Sequence, residues 1–214
     1  LAQGGLHYNR FNVTAMCSPT RAALLTGRNP HAVGHGIVTE GGMEFPGYNI
    51  RPFDNVATIG RVLHDNGYDT AFIGKHHNIR VGEMSPTGPF ENWPTNLGFD
   101  YFYGFILGET DQFSPAMYLG TQRVDLSDKP EDYLVEKDLA DKAIDWIDLQ
   151  LAAAPEKPFF MYYATGSTHA PHHAPKELIE KFRGQFDEGW DEARNRIFEQ
   201  QKALGVIPQD TEMT

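Results

Sequence analysis

The segment DNVATIGRVLHDNGYDTAFIGK, residues 54–75, changes its hydrophobic period part-way along. Its first half puts Val56, Ile59, Val62 and Leu63 on one face of a helix, Gly67 is placed to end that helix, and YDTAFI then reads as a short strand. The same order returns further on. LVEKDLADKAIDWIDLQLAA (134–153) carries Leu139, Ala143, Ile147 and Leu151 in helical register, and KPFFMYYAT (157–165) is a near-continuous apolar run, the pattern of a strand buried on both faces. Helix then strand, repeated, commits a chain to an α/β fold: a mostly parallel sheet flanked by helices. In such sheets the chemistry gathers beyond the carboxyl ends of the strands. Residues 76 to about 130, rich in Gly, Pro and aromatics, read as a long loop region, and a polar helix over about 176–203 follows the last strand.

Length and charge narrow the function classes. The 214 residues suit one large domain or a piece of a larger one. Eighteen basic against 29 acidic residues give a net charge of −11, so no basic stripe exists to bind a nucleic-acid backbone. A local anion pocket is compatible with that average. A single Cys excludes an internal disulfide framework. No run of about 18 apolar residues predicts a membrane span. The chain begins on Leu1 and ends at QDTEMT with no closing element, so it reads as a fragment, incomplete at both ends. Its localisation is unknown on these grounds, with cytoplasm, periplasm and secretion all open.

That single Cys lies in MCSPTRAALLTGR, residues 16–28. Ser18 suits an N-cap and Pro19 a first helical position, with Gly27 placed to end the helix. Cys17 then sits just outside the helix N-terminus, where unpaired N–H groups attract anions, and Arg21 lies within reach in the first turn. A nucleophile beside a fixed guanidinium suits phosphate or sulfate chemistry. The competing reading is a buried structural cysteine, the commoner fate of a lone one. A cysteine phosphatase fits poorly, because the Cys-to-Arg spacing is too short to wrap a phosphate and Pro19 removes an N–H donor.

The residues also carry a family resemblance. CSPTRAALLTGR resembles the sulfatase signature, Cys-x-Pro-x-Arg followed by a Leu and Thr-Gly. GKHH (74–77) is similar to the family's Gly-Lys-x-His element, with His76 in a place usually held by Trp. THAPHHAP (168–175) resembles its His-x-Pro-x-x-x-Pro segment, and NWPTNLGFDYFYGF (92–105) is also sulfatase-like, as scaffold and pocket wall. The resemblance spans essentially the whole chain. It implies an alkaline-phosphatase-like fold, with residues 1–214 forming part of a sulfatase catalytic domain. It implies hydrolysis of small-molecule sulfate esters, arylsulfatase-like, through a formylglycine that a formylglycine-generating enzyme makes from Cys17. Arg21 and Lys75 would hold the sulfate, His77 would deprotonate the hydroxyl left on the aldehyde hydrate, and His169 would serve the leaving alcohol. His172 and His173 fall on variable positions.

The family also binds a divalent cation, usually Ca2+, through two upstream Asp residues and a downstream Asp-Asn pair. The Cys17 formylglycine would be one metal ligand here. Residues 1–16 contain no Asp or Glu, and the downstream pair and a second lysine near the leaving group are expected beyond Thr214. Asp54-Asn55 and Asp65-Asn66 copy the dipeptide but read as a helix cap and a helix end. The polypeptide taken alone is therefore expected to bind calcium poorly and to be weak or inactive. Two alternatives remain: a phosphonate monoester or phosphodiester hydrolase of the same superfamily, and a non-catalytic fragment in which Cys17 stays a thiol.

Overall fold

Phe72 sits at the centre of the molecule's main sheet, and its surroundings explain why the chain folds as it does. The structure, a computed structural model, describes residues 2–6, 8, 11–50 and 55–214. Among them are β1 (Asp69–Lys75), β2 (Tyr101–Phe105), β3 (Tyr118–Leu119), β4 (Gln122–Arg123) and β5 (Phe159–Ala164), in the sheet order β4-β3-β2-β1-β5. β1 pairs in parallel with both β2 and β5, while β2–β3 and β3–β4 are antiparallel. The register sets Phe72 between Phe102 and Tyr162 on one face, and Ile73 beside Tyr103 on the other. Phe72 meets Phe99, Phe102 and Tyr162 edge-on at centroid distances of 5.2, 5.6 and 4.7 Å, the favoured geometry for packed aromatic rings.

Helices close both faces. On the Phe72 face, α1 (Cys17–Thr26) buries Ala22 and Leu25, and Gly27 ends it in the left-handed region (φ 66°) with its N–H on the Ala23 carbonyl. α2 (Ile59–Asp65) lies beside it, and on the Ile73 face α3 (Val135–Ala153) packs Leu139 and Ala143. None of the helices among the described residues is long and apolar enough to cross a membrane. The chain divides into two units, residues 14–173 and residues 1–13 with 174–214. The first holds the sheet; the second holds α4 (Lys176–Glu180) and α5 (Trp190–Ala203).

Several sequence expectations shift. Ser18 is not a cap: α1 starts on Cys17 after an extended Met16, and the Ser18 side chain is buried. α2 starts at Ile59, because the Thr58 hydroxyl accepts the Arg61 N–H at 3.1 Å; Val56 lies outside it, and Ile59 and Val62 are exposed. The stripe on α3 continues through Trp146, leaving Leu151 exposed. Among the described residues β5 lies at the edge of the sheet, so its apolar residues are only partly covered. The long loop region contains β2, β3 and β4, and GFDYFYGF supplies an inner strand. The expected polar helix is two helices, with Gly184 and Gly189 in left-handed conformations between them. Asn66 caps the end of α2, as read, whereas Asp54 lies outside the described residues.

Candidate active site

The C-terminal end of β1 runs straight into buried polar chain: Lys75, His76, His77 and Asn78 are all inside. β1 is flanked by strands on both sides, so the residues that follow it can escape solvent only by finding polar partners. Each of the last three does. His76 Nε2 meets the Asn92 carbonyl at 2.7 Å, and Asn78 donates its amide to the Ser18 carbonyl at 3.0 Å. That second bond pins the first turn of α1 against the end of β1. As a result His77 Nδ1 lies 3.0 Å from the Cys17 sulfur.

Arg21, one turn into α1, reaches the same place. Its guanidinium donates to the Lys75 carbonyl at 2.6 Å and lies near Tyr162 of β5, while its buried Nε has no partner. Burial lowers the Arg21 pKa, with Tyr162 and Cys17 opposing that shift. Lys75 is held low chiefly by burial; the Cys17 sulfur works to raise it and Arg21 to lower it. Burial also dominates at His77, outweighing the Glu40 carboxylate, and keeps the ring below the usual histidine range. The site therefore collects a sulfur, a neutral imidazole and two cations at the start of a helix. Such a constellation attracts a tetrahedral oxyanion and offers it directed N–H donors.

Four of the five expected residues, Cys17, Arg21, Lys75 and His77, are thus together. His169 is not bonded to them: half exposed on the loop after β5, it pairs with Glu109 at 3.4 Å. It stays close through the chain, because Glu109 follows Gly108, and a Cβ on Gly108 would lie 2.6 Å from the His77 ring. Its loop is held at the base by Glu136 of α3, which accepts the N–H groups of Gly166 and Ser167 at 2.9 and 2.7 Å. His173 faces Asp111 at 3.5 Å and stacks on Phe113.

Three members of the site carried no sequence signal: Glu40, Tyr162 and Asn78. Glu40 lies on a short 3-10 turn, Thr39–Gly41, and contacts His77 Nε2 at 2.9 Å. No motif or hydrophobic period marks GIVTEGG. The described residues contain no group of three or more His, Cys, Asp or Glu placed to hold a metal ion. One sulfur beside two cations is a poor donor set for a hard cation, which takes several oxygens.

Comparison with known proteins adds to this geometry. The Sulfatase family model matches residues 1–209. The chain is 30% identical over 225 residues to the arylsulfatase of Klebsiella aerogenes, covering 99% of this chain and 46% of that protein. It is likewise 30% identical over 235 residues to human arylsulfatase A, covering 97% of this chain and 43% of the relative. The chain thus spans less than half the length of these two curated relatives. Among solved structures, that of Ps i-CgsB in complex with k-i-k-neocarrahexaose matches with a TM-score of 0.61 at 24% identity, over 78% of this chain and 38% of that one. BT4656, solved in complex with its substrate D-glucosamine-2-N,6-O-disulfate, matches with a TM-score of 0.55 at 22% identity, over 79% and 28%. These structural likenesses establish the fold, a mixed alkaline-phosphatase-like sheet flanked by helices, parallel around β1 where a mostly parallel sheet was expected.

Proposed function

The chain belongs to the sulfatase family, and on that premise we propose that the protein containing it hydrolyses sulfate esters, arylsulfatase-like, with residue 17 working as formylglycine. The observation that carries this is the convergence of Cys17, Arg21, Lys75 and His77 where α1 begins and β1 ends. The buried, unpartnered Nε of Arg21 adds to it, since a directed donor with no protein acceptor suits an anionic ligand.

A sulfate ester resists water because water is a weak nucleophile and the anion repels attack; covalent catalysis with charge neutralisation answers both. The hydrated aldehyde at position 17 supplies one hydroxyl to attack sulfur, its proton passing to a carboxylate outside this sequence, and a second whose deprotonation releases sulfate by C–O cleavage. The chain's own residues do the rest. Arg21 and Lys75 hold the sulfate oxygens and balance their charge. His77 Nδ1, aimed at position 17, takes the proton of the second hydroxyl. His169 gives a proton to the departing alcohol oxygen. A divalent cation, Ca2+ by family likeness, would take one oxygen from the formylglycine at residue 17 and its other oxygen ligands from residues outside this sequence, and the formylglycine-generating enzyme would act during maturation.

The test uses the full-length protein made together with the maturing enzyme. Peptide mapping is expected to find an aldehyde at residue 17, and aryl sulfate is expected to be cleaved faster than aryl phosphonate. A faster phosphonate rate would move the protein to the phosphonate monoester or phosphodiester hydrolases. A persistent thiol with no turnover of either ester would make it non-catalytic.

A further inference from the structure

His77 is held more tightly than a residue needs to be for packing alone. Its backbone adopts φ 56°, uncommon outside glycine, and its ring is buried between Cys17 and the Cα of Gly108. Its two nitrogens face different partners: Nδ1 points to the Cys17 sulfur at 3.0 Å, while Nε2 lies 2.9 and 3.1 Å from the two oxygens of Glu40. An ionised carboxylate can only accept hydrogen bonds, so Nε2 must carry the hydrogen of that contact. A neutral imidazole has one hydrogen, which leaves the lone pair on Nδ1, facing residue 17.

We propose that Glu40 is a positioning residue of the active site, whose carboxylate fixes the ring and tautomer of His77 so that the Nδ1 lone pair is presented to residue 17. The inference rests on the proposed function, in which His77 accepts a proton at that position. The local chain is arranged for the task. Thr39 is buried and donates its hydroxyl to Glu40 Oε2 at 3.2 Å, so the turn is anchored while the carboxylate reaches over the ring. The Glu40 side chain itself is half exposed, so it contributes little to the core and its removal leaves no cavity. A third group orienting a base toward a nucleophile is the general logic of catalytic triads, here with a turn carboxylate in that role.

The experiment compares full-length wild type with Glu40→Ala, Glu40→Gln and His77→Ala. In the first arm, imidazole 15N spectra of protein labelled at histidine, with His77 assigned by its loss in His77→Ala, report which nitrogen is protonated. Wild type is expected to show the Nε2–H form, Glu40→Gln to keep part of it through the amide carbonyl, and Glu40→Ala to lose it. In the second arm, protein made without the maturing enzyme keeps a thiol at residue 17, and its alkylation by iodoacetamide is followed by peptide mass. The sulfur attacks carbon, iodide leaves, and the thiol proton passes to Nδ1. Glu40→Ala is expected to slow this roughly 10-fold, towards the His77→Ala rate. In matured protein, kcat is expected to fall about 10- to 100-fold with KM little changed. Wild-type tautomer and alkylation rate in Glu40→Ala would overturn the proposal. Full turnover by matured His77→Ala would instead remove the base assigned to the site, whatever Glu40 does to the ring.

Discussion

The ends of β1 and β5 are neighbours in the sheet, with Gly74 beside Ala164, yet they finish in opposite ways. Beyond Lys75 the chain stays inside, and His76, His77 and Asn78 each hold a hydrogen bond of 3.0 Å or less. Beyond Ala164 it turns outward, and His169 and His173 meet carboxylates only at 3.4 and 3.5 Å on the surface. On the proposed function, the difference would separate two tasks. Sulfate presents the same charge in the same place for every substrate, so groups that hold it gain from being fixed in advance. A leaving alcohol varies, and the residue assigned to it sits on an exposed loop, where change is tolerated.

Substitutions can break or sharpen that contrast. The largest effect is expected at the fixed end. In the full-length protein Cys17→Ser is expected to accept one sulfuryl group on the serine oxygen and stop, lowering steady-state turnover by roughly 10³-fold or more; intact mass and rate check it, and parental turnover would sink the aldehyde chemistry. Next comes a pair. Lys75→Ala is expected to lower kcat/KM by about 10²- to 10³-fold on every sulfate ester alike. His169→Ala is expected to cost about 10²-fold on alkyl sulfates and little on nitrophenyl sulfate, whose alcohol leaves without help. Equal losses on both esters for His169→Ala would erase the division of labour.

Buried histidines give a smaller effect, on stability. Burial pushes His76 down to about 3 and lowers His35 as well, so both are neutral when folded. Below about 6.5 the unfolded chain binds protons that the folded chain refuses, so stability falls as pH drops from about 6.5 towards about 3. Thermal midpoints measured across that window should show this slope, and His76→Gln should flatten it. The smallest effect is expected on the outer loop: Glu109→Gln breaks an exposed pair worth at most about 1 kcal/mol, and should shift the thermal midpoint hardly at all.

Much of the inner end was legible in the sequence. Cys17, Arg21, Lys75 and His77 sit in short motifs, and the stop at Gly27 and the strand before Lys75 followed from local chemistry. Glu40 was invisible because its role depends on a contact 37 positions away, with no period or motif around it. β2 was hidden because Gly and Pro crowd the residues before it, and local signals cannot show that GFDYFYGF finds β1 as a partner. The apolar run of β5 promised burial on both faces, but position in the sheet decides burial, and β5 lies at its edge among the described residues. Tyr162 belongs to the site through the same pairing, since register brings it beside Phe72 and under Arg21.

Gly108 marks the seam between the two regimes. The residue before Glu109 cannot gain even a methyl group without striking the His77 ring at 2.6 Å. A library randomised at 108 and 109 and selected for turnover on unfamiliar esters should therefore return one invariant position beside a variable one. On the proposed function, specificity would be rewritten up to that boundary and stop there, because the next atom inward belongs to His77, the base that every substrate would share.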